Sequence, residues 1–135
     1  MEKKLSITLG IILLLVSIGA IPAGYSMIVQ PDGSDLGMTT DLLAGSVFSD
    51  FFIPGIFLFT VNGLFNLISS ILSFYRFKYT YLLGFLLGTA MIIWISVQVY
   101  SVGLNHILQP IYFVIGLIEM SLSIWLYKLV KLKTM

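Results

Sequence analysis

Phe74-Tyr75-Arg76-Phe77-Lys78-Tyr79-Thr80 is a short basic and aromatic break between two long apolar runs. The run before it reaches back to about residue 48 and the run after it extends to about residue 102, and neither contains a Lys or Arg. Stretches of this kind exceed the ~20 apolar residues that a helix needs to cross a bilayer. A turn holding Arg76 and Lys78 between two such stretches is what cytoplasmic loops carry.

Working outward, the same pattern repeats. Lys3 and Lys4 precede an apolar run over about 5–28, and Lys128, Lys131 and Lys133 follow a run over about 106–127. All seven basic residues therefore fall on one side of a four-pass pattern. The other connections carry Asp32, Asp35, Asp41 and Asp50 and no Lys or Arg. The expectation is an all-α protein of the cell membrane, an antiparallel four-helix transmembrane bundle with N-terminus and C-terminus cytoplasmic. It forms one membrane domain over 1–135, with helices at about 5–28, 48–74, 79–102 and 106–127 and an outer loop at about 29–47.

Composition agrees. The chain is 59% hydrophobic and 10% charged, against roughly a quarter charged in soluble domains. A net charge of +1 suggests no nucleic-acid partner, and the basic residues are too dispersed for a polybasic lipid-binding patch. The absence of cysteine excludes disulfide, thiolate and iron–sulfur chemistry, and the single histidine leaves no common zinc set. No cofactor and no metal are expected. Lys3-Lys4 ahead of an apolar run resembles a signal peptide, with Ser17-Ile18-Gly19 as its cleavage site. The run from Leu5 to about Ile28 is longer than an h-region, so a retained helix is expected.

Local signals mark the connections. Pro22 predicts a kink. Gln30-Pro31-Asp32-Gly33 predicts a tight turn, and Thr39-Thr40-Asp41 a cap for a short interfacial helix through Leu42-Leu43-Ala44. Asp50 and Pro54 are expected in the first turns of the second span, and Gly103-Leu104-Asn105 as a short outer turn. Aromatics gather at both predicted boundaries: Phe74, Tyr75, Phe77, Tyr79, Tyr81, Trp125 and Tyr127 inside, and Tyr25, Phe48, Phe51, Phe52, Tyr100 and Tyr112 outside. This is the expected interfacial belt.

Each span carries a stripe of small or polar residues spaced to share one helix face. The stripes are Ser6, Gly10, Leu13, Ser17, Ala20 and Gly24; Gly55, Asn62, Asn66, Ser69 and Ser73; Thr80, Gly84, Gly88, Met91 and Gln98; Tyr112, Gly116, Glu119 and Ser123. Small residues let membrane helices approach closely and polar ones bond across the contact, so these faces should point inward. Gly84-x-x-x-Gly88 also fits a dimerisation pattern, with use inside the bundle favoured.

Two polar groups stand out. Glu119 lies near the middle of the fourth span, where a carboxylate costs on the order of 2–3 kcal/mol and is a functional candidate by default. Asn62 and Asn66 match its depth on the second span. The functional reading is a proton-carrying or cation-binding carboxyl held by two amides. The structural reading, which is favoured, is a protonated Glu119 hydrogen-bonded to Asn62 or Asn66. The second group is Asp50, Gln98, His106 and Gln109 near the outer boundary, roofed by Asp32, Asp35 and Asp41. It reads as a pocket for a small polar ligand, cation or headgroup, or, more simply, as a solvated rim in which Asp50 caps the second span and Gln98 bonds to the fourth. His106 has no partner histidine for haem.

Met27 to Phe57, with Gln30-Pro31-Asp32-Gly33, Leu36-Gly37-Met38 and Phe48-Ser49-Asp50-Phe51-Phe52-Ile53-Pro54-Gly55, resembles a group of small four-pass bacterial integral membrane proteins with no assigned function. Trp94-Ile95, Val97-Gln98 and Leu108-Gln109-Pro110-Ile111-Tyr112 resemble their later segments. The resemblance implies the same topology and a bacterial inner-membrane setting, and it draws attention to Asp50, Gln98 and Gln109. It implies no activity. Gln30 departs from the group's pattern, which has Asp there.

No G-x-S-x-G, H-E-x-x-H or P-loop is present. The reading is a non-enzymatic accessory or binding subunit. The alternative is a small transporter or ligand- or lipid-binding protein using the outer polar cluster and Glu119. A third possibility is an intramembrane lipid enzyme dependent on Asp50. Expected partners are membrane lipids and either another membrane protein or further copies of the chain.

Overall fold

A computed structural model describes residues 1–36, 40–43, 48–103 and 107–134. Among these there is no strand; the chain forms four long helices, Glu2–Val29, Phe52–Phe74, Thr80–Val102 and Leu108–Thr134. All four are long and apolar enough to cross a membrane.

Three boundaries differ from those expected. The first helix begins at Glu2, where a carboxylate meets the positive end of the helix dipole. The fourth runs on to Thr134 with Lys131 and Lys133 in its last turn. Lysine is a good helix former and suits the negative end of the dipole, so the helix outlasts the apolar run. The second begins at Phe52, after Phe48, Ser49 and Asp50 have turned the chain. There Asp50 Oδ1 accepts the Phe52 N–H at 3.0 Å.

The outer loop is tied to this start. The Phe51 N–H donates to the Pro31 carbonyl at 2.8 Å, and the Phe51 ring packs against Met27 with Phe48 and Leu58 beside it. Phe51 is thus buried, not part of an exposed aromatic belt as its position near the boundary predicts. Gln30 to Gly33 form the expected turn, the Gly33 N–H donating to Gln30 O at 3.0 Å with Gly33 at φ 81. A 3-10 turn spans Thr40–Leu43; Thr39 and Ala44 lie outside the described residues, as do Leu104 and Asn105. The first helix continues through Pro22.

The second helix is not uniform. Phe52–Phe57 and Asn66–Phe74 are α-helical, but Leu58–Phe65 between them is π-helical. Such wide turns are rare and frequently sit at functional sites.

The interior follows the small-residue stripes. Every stripe residue is buried except Gln98 and Tyr112, which are half-buried. The first and second helices approach closely: Ser6 Oγ donates to the Ser73 carbonyl at 2.6 Å. A β-carbon at Gly24 would stand 2.6 Å from the Phe59 backbone nitrogen, and one at Gly10 2.9 Å from the Phe74 ring. Gly84 and Gly88 press the third helix onto Ser123 and Gly116 of the fourth, so this motif is used within the chain. Phe57 and Trp94 stack at 5.2 Å between the second and third helices. Leu5 and Leu9 pack with Leu126 between the first and fourth, and Glu2 pairs with Lys133 at 3.7 Å. Among the described residues no Cα of the fourth helix comes within 8 Å of one in the second. The helices therefore follow each other around the bundle in chain order, with the second and fourth diagonally opposed.

Candidate functional site

The diagonal pair carries the chain's buried polar residues of interest. Glu119, on the fourth helix, is 0% exposed, as is Asn62 on the second; Asn66 and Ser123 are each 1% exposed. Their depth follows from the packing. Gly88 lies on Glu119. Asn62 and Asn66 on the second helix and Glu119 on the fourth are thus all buried in the interior, with Asn62 next to Gly63, whose neighbour is Ile21, and Ser123 next to Gly84, whose neighbour is Leu9.

The expected hydrogen bond between Glu119 and an asparagine is not formed. Neither carboxyl oxygen of Glu119 has a hydrogen-bond partner, nor does either amide atom of Asn62, Oδ1 of Asn66 or Oγ of Ser123. The physical reason lies in the bundle order, which sets the second and fourth helices across the interior from each other without close backbone approach. The neighbouring hydroxyls do not bridge the gap, because they are engaged on their own helices. Ser17 donates to Leu14 O, Ser70 to Leu67 O and Ser73 to Ser69 O, each at 2.7 to 2.8 Å.

The π-helical segment sets the orientation of Asn66. Its backbone N–H bonds to Gly63 O, and its side-chain Nδ2 donates to the Val61 carbonyl at 3.1 Å. With the amide nitrogen held there, the oxygen is the atom left to the interior. Unpaired buried polar atoms are uncommon in folded proteins, and each requires an explanation. Here they come almost entirely as oxygens, on the second and fourth helices. Ser123 was not singled out as a site residue from the sequence; its position one turn from Glu119 on the same stripe was the available signal.

The outer group is used differently. Gln109 is buried and its Nε2 donates to Gln98 Oε1 at 3.2 Å and to the Gly103 carbonyl at 3.1 Å, linking the third and fourth helices across their connection. Asp50 is engaged at the start of its own helix. Asp32, Asp35 and Asp41 are exposed, and His106 lies outside the described residues. In the loop, the Ser34 backbone N–H and its hydroxyl hold the Asp32 carboxyl below the usual aspartate value. The structure thus brings Gln98 and Gln109 together and leaves Asp50 in a local turn. No three His, Cys, Asp or Glu side chains converge as a metal set among the described residues. An apolar groove of about 240 Å³ lies between the first and fourth helices, lined by Ile12, Leu15, Val16, Ile111, Tyr112, Ile115 and Ile118.

No protein-family model, no curated protein and no solved structure matches the chain.

Proposed function

We propose that the chain is a multi-pass membrane protein whose helices run antiparallel, with both termini and the Tyr75–Lys78 turn on the cytoplasmic side, and that it acts as a non-enzymatic binding module. The observation carrying this reading is the fully buried, unpartnered carboxyl of Glu119, together with equally buried, incompletely bonded amides on the second helix. Desolvating such groups without partners is costly, and the cost is offset when a ligand supplies the missing interactions. The orientation is supported by the placement of every basic residue on one side of the pattern. The Glu2–Lys133 pair at 3.7 Å, which joins the two ends of the chain, adds to that support.

The test is native mass spectrometry of the protein extracted from its own membrane with minimal delipidation, beside the Glu119→Gln variant. A small ligand retained by the wild type and lost in the variant is the expected result. A stoichiometric protein partner with no small ligand would favour the second reading, an accessory subunit of a larger assembly. The small size and short loops favour that second reading.

A further inference from the structure

We infer that the end of the bundle carrying the basic residues holds the headgroup of an anionic phospholipid, seated on the row Tyr79, Tyr81 and Tyr127 between Lys78 and Lys128. This surface is separate from Glu119 and does not depend on the binding role proposed for that residue.

The fold gathers what the sequence scatters. The basic residues lie in three stretches too far apart along the chain to read as a lipid-binding patch. Glu2 pairs with Lys133 at 3.7 Å, which sets the start of the first helix beside the end of the fourth. The bond from Ser6 to the Ser73 carbonyl at 2.6 Å brings the end of the second helix to the same place. The Tyr81 and Tyr127 rings, 5.1 Å apart, bring the start of the third. All seven basic side chains therefore stand at one end of the bundle, and all are exposed. Glu2 is the one acidic residue of the sequence at that end, and Lys133 engages it. Asp32, Asp35, Asp41 and Asp50 lie between the far end of the first helix and the start of the second, and Glu119 is buried.

Geometry and charge together choose the occupant. The rings form a continuous row, Tyr79 lying 6.3 Å from Tyr81 and Tyr81 5.1 Å from Tyr127, centroid to centroid. The Lys78 ammonium stands 5.3 Å from the centre of the Tyr79 ring, and Lys128 directly follows Tyr127. The row joins the third helix to the fourth where their apolar stretches meet the basic end. Tyrosine at such a boundary offers an apolar ring to lipid and a hydroxyl to the headgroup. Lysine there lays its stem on apolar surface and keeps its ammonium among the headgroups. The oxygens of a phosphodiester accept hydrogen bonds from both groups. A zwitterionic headgroup would add its own cation to an end whose positive charge is already uncompensated, which disfavours it. An acidic protein segment would satisfy the charge but not the row, whose rings border stretches apolar enough to cross a membrane.

The experiment uses the purified wild-type chain in a non-ionic detergent. Phosphatidylglycerol and phosphatidylcholine with the same acyl chains are offered in equal amounts, and the lipids retained are counted by native mass spectrometry. Phosphatidylglycerol should be retained about tenfold in preference, since each lysine near an anionic headgroup contributes roughly fivefold. Lys78→Gln with Lys128→Gln should reduce the preference to about twofold or less. Lys3→Gln with Lys4→Gln removes the same charge at the same end, but on a different helix from the row, and should leave the preference near its wild-type value. Equal retention of the two lipids by the wild type overturns the inference. So does an equal loss in both double variants, which would make the preference a property of the whole charged end. Retention of added polyglutamate in place of either lipid would make this end a protein-docking surface and overturns it too. Glu119→Gln should keep the preference, so failure of the Glu119 reading and failure of this one are told apart.

Discussion

Gly88 lies against Glu119: a β-carbon at position 88 would stand 3.1 Å from Glu119 Cβ and 2.8 Å from the Gly116 carbonyl oxygen. The third helix approaches the fourth this closely because that position, like Gly84 and Gly116, has no side chain. The carboxyl-bearing residue and a close helix contact are therefore neighbours, and disturbing one disturbs the other.

Gly88→Val should destabilise the bundle, since a branched side chain there meets backbone that cannot swing away. Overpacking of this kind costs about 1–3 kcal/mol. Gly24→Val should behave alike, because the added group would meet the Phe59 backbone. Thermal unfolding in detergent, with wild type alongside, measures both; unchanged midpoints would contradict the close approach.

Glu119→Leu should stabilise the protein while abolishing ligand binding. An unsatisfied buried polar group costs about 1–3 kcal/mol, and an apolar replacement of similar size removes that cost. A raised unfolding midpoint is the expected result. A clear fall would mean that Glu119 is a structural member of the interior.

Arg76 sits at φ 55 in the turn after the second helix. An L-residue in that conformation carries about 1–2 kcal/mol of strain, part of which glycine relieves. Arg76→Gly should raise stability by roughly 1 kcal/mol at most, after the entropy that glycine restores to the unfolded chain. The same unfolding assay decides it, and a loss would point to a contact of the guanidinium.

The hydrogen bonds from Ser34 lower the Asp32 carboxyl from its usual value of 3.8. The sign follows from linkage: the folded carboxyl gives up its proton more readily than the unfolded one. Its contribution is present above pH 3.8 and disappears as the pH falls through the lowered folded value. An NMR titration of the Asp32 side chain should give a midpoint under 3.8, and Ser34→Ala, which removes the hydroxyl but not the backbone donor, should move it part of the way back.

The chain contains no cysteine, so single introduced ones report topology cleanly. Ser34→Cys should react with a membrane-impermeant maleimide added to intact cells, and Lys78→Cys only after the membrane is opened. The opposite pattern would reverse the proposed orientation.

The sequence by itself determined the number of helices and the faces they turn inward. Those properties are set locally: the length of apolar runs, the 3.6-residue spacing that groups Ser6 with Gly10 and Glu119 with Ser123, and the turn chemistry of Gln30 to Gly33. Even locally the reading had limits. Apolar content ends at the bilayer boundary whereas helical hydrogen bonding continues, so the extension through Lys128, Lys131 and Lys133 was missed, as was the turn at Asp50 that delays the second helix.

Only the tertiary structure decided the order of helices around the bundle, because small-residue stripes specify close approach without specifying the partner. That order sets the fourth helix, with Glu119, diagonally opposite the second, with Asn62 and Asn66, and the hydrogen bond expected between them is not made. The wide turn at Leu58–Phe65 and the bond from Asn66 to Val61 were likewise illegible in the residues. A π-helical turn arises from packing along a whole helix, and the direction of an amide from a single carbonyl that the fold brings within reach.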